Sequence, residues 1–195
     1  GPHSLLYNRG LFEHPEHKWP RPIQSAVITK YSKDASAKPE DIWISGHVMT
    51  DGSADRHVIK ECGRAGWGVV QVDDDGYFVA GAWGPVPEAL PQSPQAAEFS
   101  SLVVAAMLIN GSTTVGSDCA NVVNSWNKGS KATTDLKSTY SGLLHESRRF
   151  DGAQHIEQVY WIKGHQTITK SMIQGDKETL RKARGNINAD KAADM

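Results

Sequence analysis

The chain has 195 residues and a formal net charge of −1, with 38% hydrophobic and 22% charged residues. This composition describes one globular domain of ordinary size and excludes a disordered protein. No apolar run approaches the roughly 20 residues that span a bilayer, so no membrane partner is predicted. The near-neutral charge also argues against a protein that binds nucleic acid by bulk charge alone.

The two cysteines, Cys62 and Cys119, form neither a zinc-binding spacing nor a disulfide framework. They favour a reducing intracellular location, in the nucleus or the cytoplasm. Residues 1–4 resemble the remnant of a cleaved tag, and the prolines that follow are typical of an extended arm or linker. We therefore expect residues 1–40 to be a tag remnant and an N-terminal arm, and residues 41–195 to be the functional domain.

The first part of this domain has the pattern of an antiparallel meander. Its three predicted strands span residues 42–50, 64–72 and 77–83. The first strand is expected to stop at Asp51 and to turn at Gly52. Residues 73–76, Asp-Asp-Asp-Gly, close a hairpin, and we interpret these acids as turn residues and not as metal ligands.

The second part alternates helices and strands. The predicted elements are a helix from Pro94 to about residue 110, a strand at 113–118, helices at 120–126 and 135–150, a strand at 156–162 and a helix opening at Asn186. Helical crossovers make the last two strands parallel to the first. The fold class is therefore α/β, a five-stranded mixed sheet flanked by helices, and its order is 3-2-1-4-5 if the fourth strand lies beside the first.

Four acids are expected to converge in this fold. Asp51 and Asp118 end two strands that the predicted order makes neighbours, and mixed sheets bind ligands at such carboxyl ends. Glu98 begins the apolar stripe of a helix, and Asp190 lies on the last helix. Burying carboxylates is costly unless a cation meets them, and oxygen ligands favour Mg²⁺ or Mn²⁺ over zinc. The alternative for Glu98 alone is an acid that interacts with the helix dipole.

Five short motifs in this order resemble type 1 ribonuclease H: Thr50-Asp51-Gly52-Ser53, Ala97-Glu98, Ser117-Asp118, Lys163-Gly164-His165, and Gly185-Asn186 followed by Ala189-Asp190. The resemblance implies that Asp51, Glu98, Asp118 and Asp190 bind two Mg²⁺ ions, for which Mn²⁺ can substitute. It also implies that His165 is a mobile histidine that assists proton transfer or product release.

The same resemblance implies an endonuclease that hydrolyses the RNA strand of an RNA/DNA hybrid by a two-metal-ion mechanism. The products would carry a 3′-hydroxyl and a 5′-phosphate. The substrate-binding residues that it implies are Ser53, Ser93, Gln95 and Asn186. Two positions depart from the family pattern, because Pro94 replaces a usual asparagine and Ile187 replaces a usual acid. One minor-groove contact is therefore expected to be missing.

The basic protrusion of cellular enzymes is not found after residue 126, as in retroviral domains. Residues 166–185 are expected to be a polar, basic connection, which either replaces the protrusion as a phosphate contact or is a solvated loop. The chain most resembles the ribonuclease H domain of a retroelement reverse transcriptase, whose partner would be the polymerase part of a polyprotein. The alternatives are a free-standing cellular ribonuclease H, a non-catalytic module of this fold, or another nuclease such as a resolvase core.

The tryptophans carry a separate expectation. We predict that Trp67, Trp83, Trp126 and Trp161 pack in the core or on the sheet and do not stack on bases. Cys119, next to Asp118, is expected to be a small buried residue and not a reactive thiol.

Overall fold

In a computed structural model of the chain, residues 28–55, 63–134 and 138–195 are described. The strands are β1 Thr29–Ser32, β2 Ile44–Ala54, β3 Ala65–Val72, β4 Phe78–Pro85, β5 Ile109–Ser117 and β6 Ile156–Trp161. The helices are α1 Pro94–Leu108, α2 Ala120–Asn127, α3 Ser130–Thr133, α4 Ser141–Ser147, α5 Lys170–Gln174 and α6 Lys177–Ala193. Short 3₁₀ helices lie at Pro39–Asp41 and Asp151–His155. Within these ranges no helix is long and apolar enough to cross a membrane.

The strands form one mixed sheet with the order β1-β4-β3-β2-β5-β6. The pairs β2–β5 and β5–β6 are parallel, and the other pairs are antiparallel. The predicted α/β class and the relative order of the five predicted strands are confirmed. The count of five is corrected to six, because β1 adds an edge strand next to β4. Its four residues alternate between exposed and half-buried, so they carry no core pattern that marks them in the sequence.

Part of the predicted arm, residues 28–40, therefore contributes a strand to the sheet. The tag remnant and the rest of the arm, up to residue 27, lie outside the described residues.

Helices cover both faces of the sheet. Val48 belongs to the core beneath α1, whereas its neighbour Met49 belongs to the core beneath α6, and β3 shows the same alternation at Val69 and Val70. All four side chains are fully buried. Successive residues of a strand face opposite sides, so burial on both sides produces these continuous apolar runs. Asp51 lies two residues after Met49 on the same strand, so its side chain points toward the face of the sheet that α6 covers.

The expectation that the first strand ends at Asp51 is wrong. Strand β2 continues to Ala54, and Gly52 pairs with Trp67 of β3 instead of forming a turn. An ideal Cβ on Gly52 would lie 2.3 Å from the backbone nitrogen of Glu98. The glycine is there because the backbone of α1 packs directly on the strand, and a closely approaching backbone is one reason for glycine inside a strand.

The last helix also differs from the expectation. It begins at Lys177 and not at Asn186, because the Asp176 side chain caps it by accepting from the Thr179 backbone N–H at 3.0 Å. Gly185 lies inside this helix, where a Cβ would approach Met49 Cγ to 2.7 Å. Most of the connection predicted at 166–185 is thus helical, as α5 and the first half of α6.

Two other helix boundaries are corrected. Helix α1 ends at Leu108, two residues earlier than predicted, because the chain enters β5 at once and Ile109 pairs with Ile44. The helix predicted at 135–150 is observed at Ser141–Ser147, with residues 135–137 outside the described ranges.

Close packing of α6 on β3 makes Gly68 a sensitive position. A Cβ there would lie 2.6 Å from the Ala189 carbonyl oxygen and 2.7 Å from the Ala193 nitrogen, both backbone atoms that cannot rotate away. We expect Gly68→Ala to lower the free energy of unfolding by about 1–3 kcal/mol through overpacking. Gly142→Ala, on α4 with no atom within 4 Å of the new Cβ, is the control and should be neutral or stabilising. Chemical denaturation of both variants measures the difference, and equal stabilities would contradict this packing.

Candidate metal centre

Carboxylates from three separate elements meet at one end of the sheet. Asp51 on β2, Glu98 on α1 and Asp118 after β5 each offer an oxygen, and these three oxygens lie within 4.8 Å of one another. The parallel register that pairs Thr50 with Ser117 brings the first and third acids side by side. The structure thus places three of the four predicted metal ligands together.

Local structure fixes Glu98 in this group. Ser93 caps α1, with its Oγ accepting from the Ala96 backbone N–H at 3.2 Å, and Pro94 occupies the first turn. Both are preferred at a helix start. Because Gly52 lets this turn lie directly on β2, Glu98 stands beside Asp51.

Two of the acids are almost fully buried, and each has an oxygen without a protein partner. Asp51 is 6% exposed and Glu98 7% exposed. Asp51 Oδ1 accepts from the Gly52 backbone N–H at 2.7 Å, but Asp51 Oδ2 and Glu98 Oε2 are buried with no hydrogen-bond partner among the described residues. Buried polar atoms are ordinarily paired, so these two oxygens are free to serve as ligands of a cation.

The electrostatics of the group are unfavourable in the protein alone. Burial, followed by the charge of Asp118, raises the pKa of Asp51 to about 7. Burial, followed by the charge of Asp51, raises the pKa of Glu98 to about 10. A divalent cation would reverse both effects by compensating the charges that burial and repulsion disfavour. An all-oxygen ligand set fits Mg²⁺ or Mn²⁺, so the residues present fit the predicted cofactor class.

Asp190 and His165 lie at the edge of this group. Asp190 is not one of the three mutually close acids, yet its charge contributes to the raised pKa of Asp51. His165 Nδ1 lies 4.0 Å from Asp190 Oδ1, with the histidine side chain 87% exposed and the aspartate 39% exposed. His165 also has a φ of +47°, which is the left-handed region that a non-glycine residue rarely adopts. Such strained residues cluster at functional sites.

The predicted substrate-binding residues have different environments. Ser53 Oγ donates to Asp194 Oδ1, and Ser93 Oγ pairs with the Tyr140 hydroxyl at 3.2 Å in addition to capping α1. Gln95 is half-buried in the first turn of α1. Asn186 is only 2% exposed, and its Oδ1 has no partner among the described residues.

The basic residues of α6 contact the acidic turn between β3 and β4. Lys177 Nζ lies 3.9 Å from Asp75 Oδ1, and Arg181 Nη1 lies 4.0 Å from Asp74 Oδ1. Arg184 Nη1 donates to the Asp75 carbonyl at 2.7 Å. The acidic turn therefore lies against part of the basic segment 166–185, for which one of our two predictions was a phosphate contact. The turn acids themselves form no metal group within the described chain, since the acidic group found there is the one containing Asp51.

Two contacts with Asp118, made by Trp161 and Gly164, were not predicted from the sequence. Trp67 and Trp126 are buried as predicted, and Trp83 packs half-buried against the core beneath α6, whereas Trp161, the last residue of β6, is 55% exposed and so is not a core residue. Its indole Nε1 donates to the Asp118 carbonyl oxygen at 2.9 Å. Gly164 lies against the Asp118 carboxylate. Both contacts could have been predicted from one feature of the sequence. Trp161 and Gly164 lie at or just after the end of β6, and the parallel pairing of β5 with β6 brings that end next to Asp118.

This chain is similar to several solved structures in its fold. No protein-family model and no curated protein matches the sequence. The solution structure of the PFV RNase H domain matches with a TM-score of 0.56 and 22% identity, covering 78% of this chain and 93% of that chain. The prototype foamy virus protease-reverse transcriptase matches with a TM-score of 0.54 and 24% identity, covering 84% of this chain and 22% of that chain.

A foamy viral protease-reverse transcriptase in complex with RNA/DNA hybrid matches with a TM-score of 0.52 and 18% identity, covering 91% of this chain and 23% of that chain. The chain thus spans less than a quarter of the two reverse transcriptases. These likenesses show that this chain has the ribonuclease H fold, the fold of the foamy virus structures.

Proposed function

We propose that this chain is a divalent-metal-dependent endonuclease that hydrolyses the RNA strand of RNA/DNA hybrids. The observation that carries the proposal is the group of Asp51, Glu98 and Asp118, with two buried carboxylate oxygens that no described residue satisfies. Asp190 completes the proposed ligand set from α6. The products would be a 3′-hydroxyl and a 5′-phosphate.

The four acids would hold two Mg²⁺ ions, with Mn²⁺ as a substitute. Such ions supply Lewis acidity on both sides of an in-line phosphoryl displacement. The chain's own residues contribute position and charge: β2, α1 and β5 hold three carboxylates at one point, and burial excludes water from Asp51 and Glu98. His165, which is exposed to solvent with its Nδ1 4.0 Å from Asp190 Oδ1, would assist proton transfer or product release at this site.

Selectivity for a hybrid requires contacts to 2′-hydroxyls on one strand and to groove shape on the other. We assign these contacts to residues around the acids, with Ser53 on β2 and Gln95 on α1 on the substrate side. Ser93 would approach a DNA phosphate after exchanging its contact with Tyr140. Asn186, buried one helical turn before Asp190, would support the site from below the surface.

A cleavage assay tests the proposal. We expect Mg²⁺ to produce internal cuts in the labelled RNA strand of a hybrid and no cuts in the DNA strand, in double-stranded DNA or in double-stranded RNA, because only the hybrid combines a 2′-hydroxyl strand with a deoxyribose strand. Chelation of the metal should stop the reaction. An intact RNA strand in both Mg²⁺ and Mn²⁺, with hybrid still bound, would favour the non-catalytic alternative.

We further propose that the parent protein is a retroelement reverse transcriptase acting in the cytoplasm or nucleus. The fold shared with the foamy virus protease-reverse transcriptase supports this context. A free-standing cellular ribonuclease H is the alternative. The two alternatives predict different behaviour of this chain. A reverse-transcriptase domain should bind hybrid more tightly when it is joined to the polymerase, whereas a free-standing ribonuclease H should be fully active alone.

A further inference from the structure

Two contacts from one segment converge on Asp118. The segment Trp161–His165 begins at the last residue of β6, which is parallel to β5, and the Ile162 backbone N–H donates to the Ser117 carbonyl oxygen at 3.0 Å. Beyond that bond, Trp161 Nε1 donates to the Asp118 carbonyl oxygen at 2.9 Å. The indole nitrogen therefore bonds to the backbone of Asp118, although Trp161 as a whole is 55% exposed.

The second contact concerns the side chain. An ideal Cβ on Gly164 would overlap Asp118 Oδ2 and lie 3.1 Å from Asp118 Cγ. The carboxylate thus occupies the space that any other residue at position 164 would fill. Because the opposing atoms belong to a side chain that can rotate, a larger residue would displace the carboxylate and leave the backbone in place.

We propose that Trp161 and Gly164 are positioning residues that hold Asp118 within reach of Asp51 and Glu98. This inference rests on the proposed function, since it concerns how the same acids bind a divalent ion. Neither residue would be a ligand of the cation, since each contacts Asp118. Trp161 fixes the backbone from which the carboxylate projects, and Gly164 leaves the space in which the carboxylate lies. Groups that orient metal ligands in this way typically change metal affinity by about 10–100-fold when mutated.

The test measures metal binding by the whole chain without nucleic acid. Mg²⁺ is titrated calorimetrically into wild type, Gly164→Ala and Trp161→Phe, and the thermal transition of each is recorded with and without Mg²⁺. The controls are Gly142→Ala, at an unobstructed helix position, and Trp43→Phe, a tryptophan 51% exposed that precedes β2. We expect Gly164→Ala to weaken Mg²⁺ binding at least about tenfold and Trp161→Phe to weaken it several-fold.

A purely structural role would give a different result. It would lower the metal-free melting temperature and leave the Mg²⁺ affinity of the folded protein unchanged, whereas positioning leaves the metal-free transition near that of wild type. Mg²⁺ affinities equal to wild type in both variants would overturn the proposal, and so would a wild type that binds no divalent ion. A wild type that binds Mg²⁺ but does not cut hybrids would instead overturn the proposed function, and the affinities would still decide the positioning role.

Discussion

Asp51→Asn is expected to reduce cleavage of an RNA/DNA hybrid by at least about a thousandfold while raising the melting temperature of the metal-free protein. The activity falls because the variant loses a carboxylate that lies within 4.8 Å of both neighbouring acids. Electrostatic stabilisation of this kind is worth about 10²–10³ in kcat for a single donor, and a shared metal ligand should exceed that. The melting temperature rises because a buried charge near Asp118 and Glu98 is removed.

Single-turnover cleavage measures the loss of activity, and thermal denaturation measures the rise in melting temperature. Glu88→Gln, at an exposed acid in the loop before α1, is the matched control and should change neither. A variant that loses activity and also melts earlier would indicate a structural role for Asp51. Normal cleavage by Asp51→Asn would remove this residue from the site and, with it, the metal assignment.

Much of the sheet could be predicted because it is buried on both faces. Apolar runs such as Val48-Met49 and Val69-Val70 mark the central strands, and helical crossovers predict that β5 is parallel to β2. That β5 lies directly beside β2, and so brings Asp118 next to Asp51, is observed in the structure. Strand β1 could not be found this way, because an edge strand with exposed residues has no such run.

The errors near the site have one common cause, which is tertiary packing that overrides local signals. Gly52 looks like a turn residue in the sequence, but it lies within β2 because the backbone of α1 approaches it. Gly185 looks like a helix boundary, but it packs on Met49 inside α6. Trp161 looks like a core residue, yet its ring is exposed and its indole nitrogen contacts Asp118. Each error concerns a contact between residues distant in the chain.

The metal-free protein is also expected to lose stability as the pH rises. In the unfolded chain both carboxyls titrate near pH 4, whereas in the folded protein burial raises the pKa of Asp51 to about 7 and that of Glu98 to about 10. The folded state therefore binds protons more tightly, and its stabilisation by these protons is present at pH 4 and lost as the pH rises through 7 toward 10.

Between pH 5 and pH 9 we expect the free energy of unfolding to fall by several kcal/mol, because each unit by which a pKa is raised is worth about 1.4 kcal/mol, and the melting temperature should fall with it. Mg²⁺ should restore most of this loss at pH 9 and little at pH 5, because it binds the ionised carboxylates. Glu98→Gln should melt higher than wild type at pH 9 without metal and should show a flatter pH profile, whereas the control Glu88→Gln should follow wild type. A wild-type transition that is independent of pH, with no added stability from Mg²⁺ at pH 9, would mean that the buried acids do not form the strained, metal-dependent group inferred from their two unpartnered oxygens.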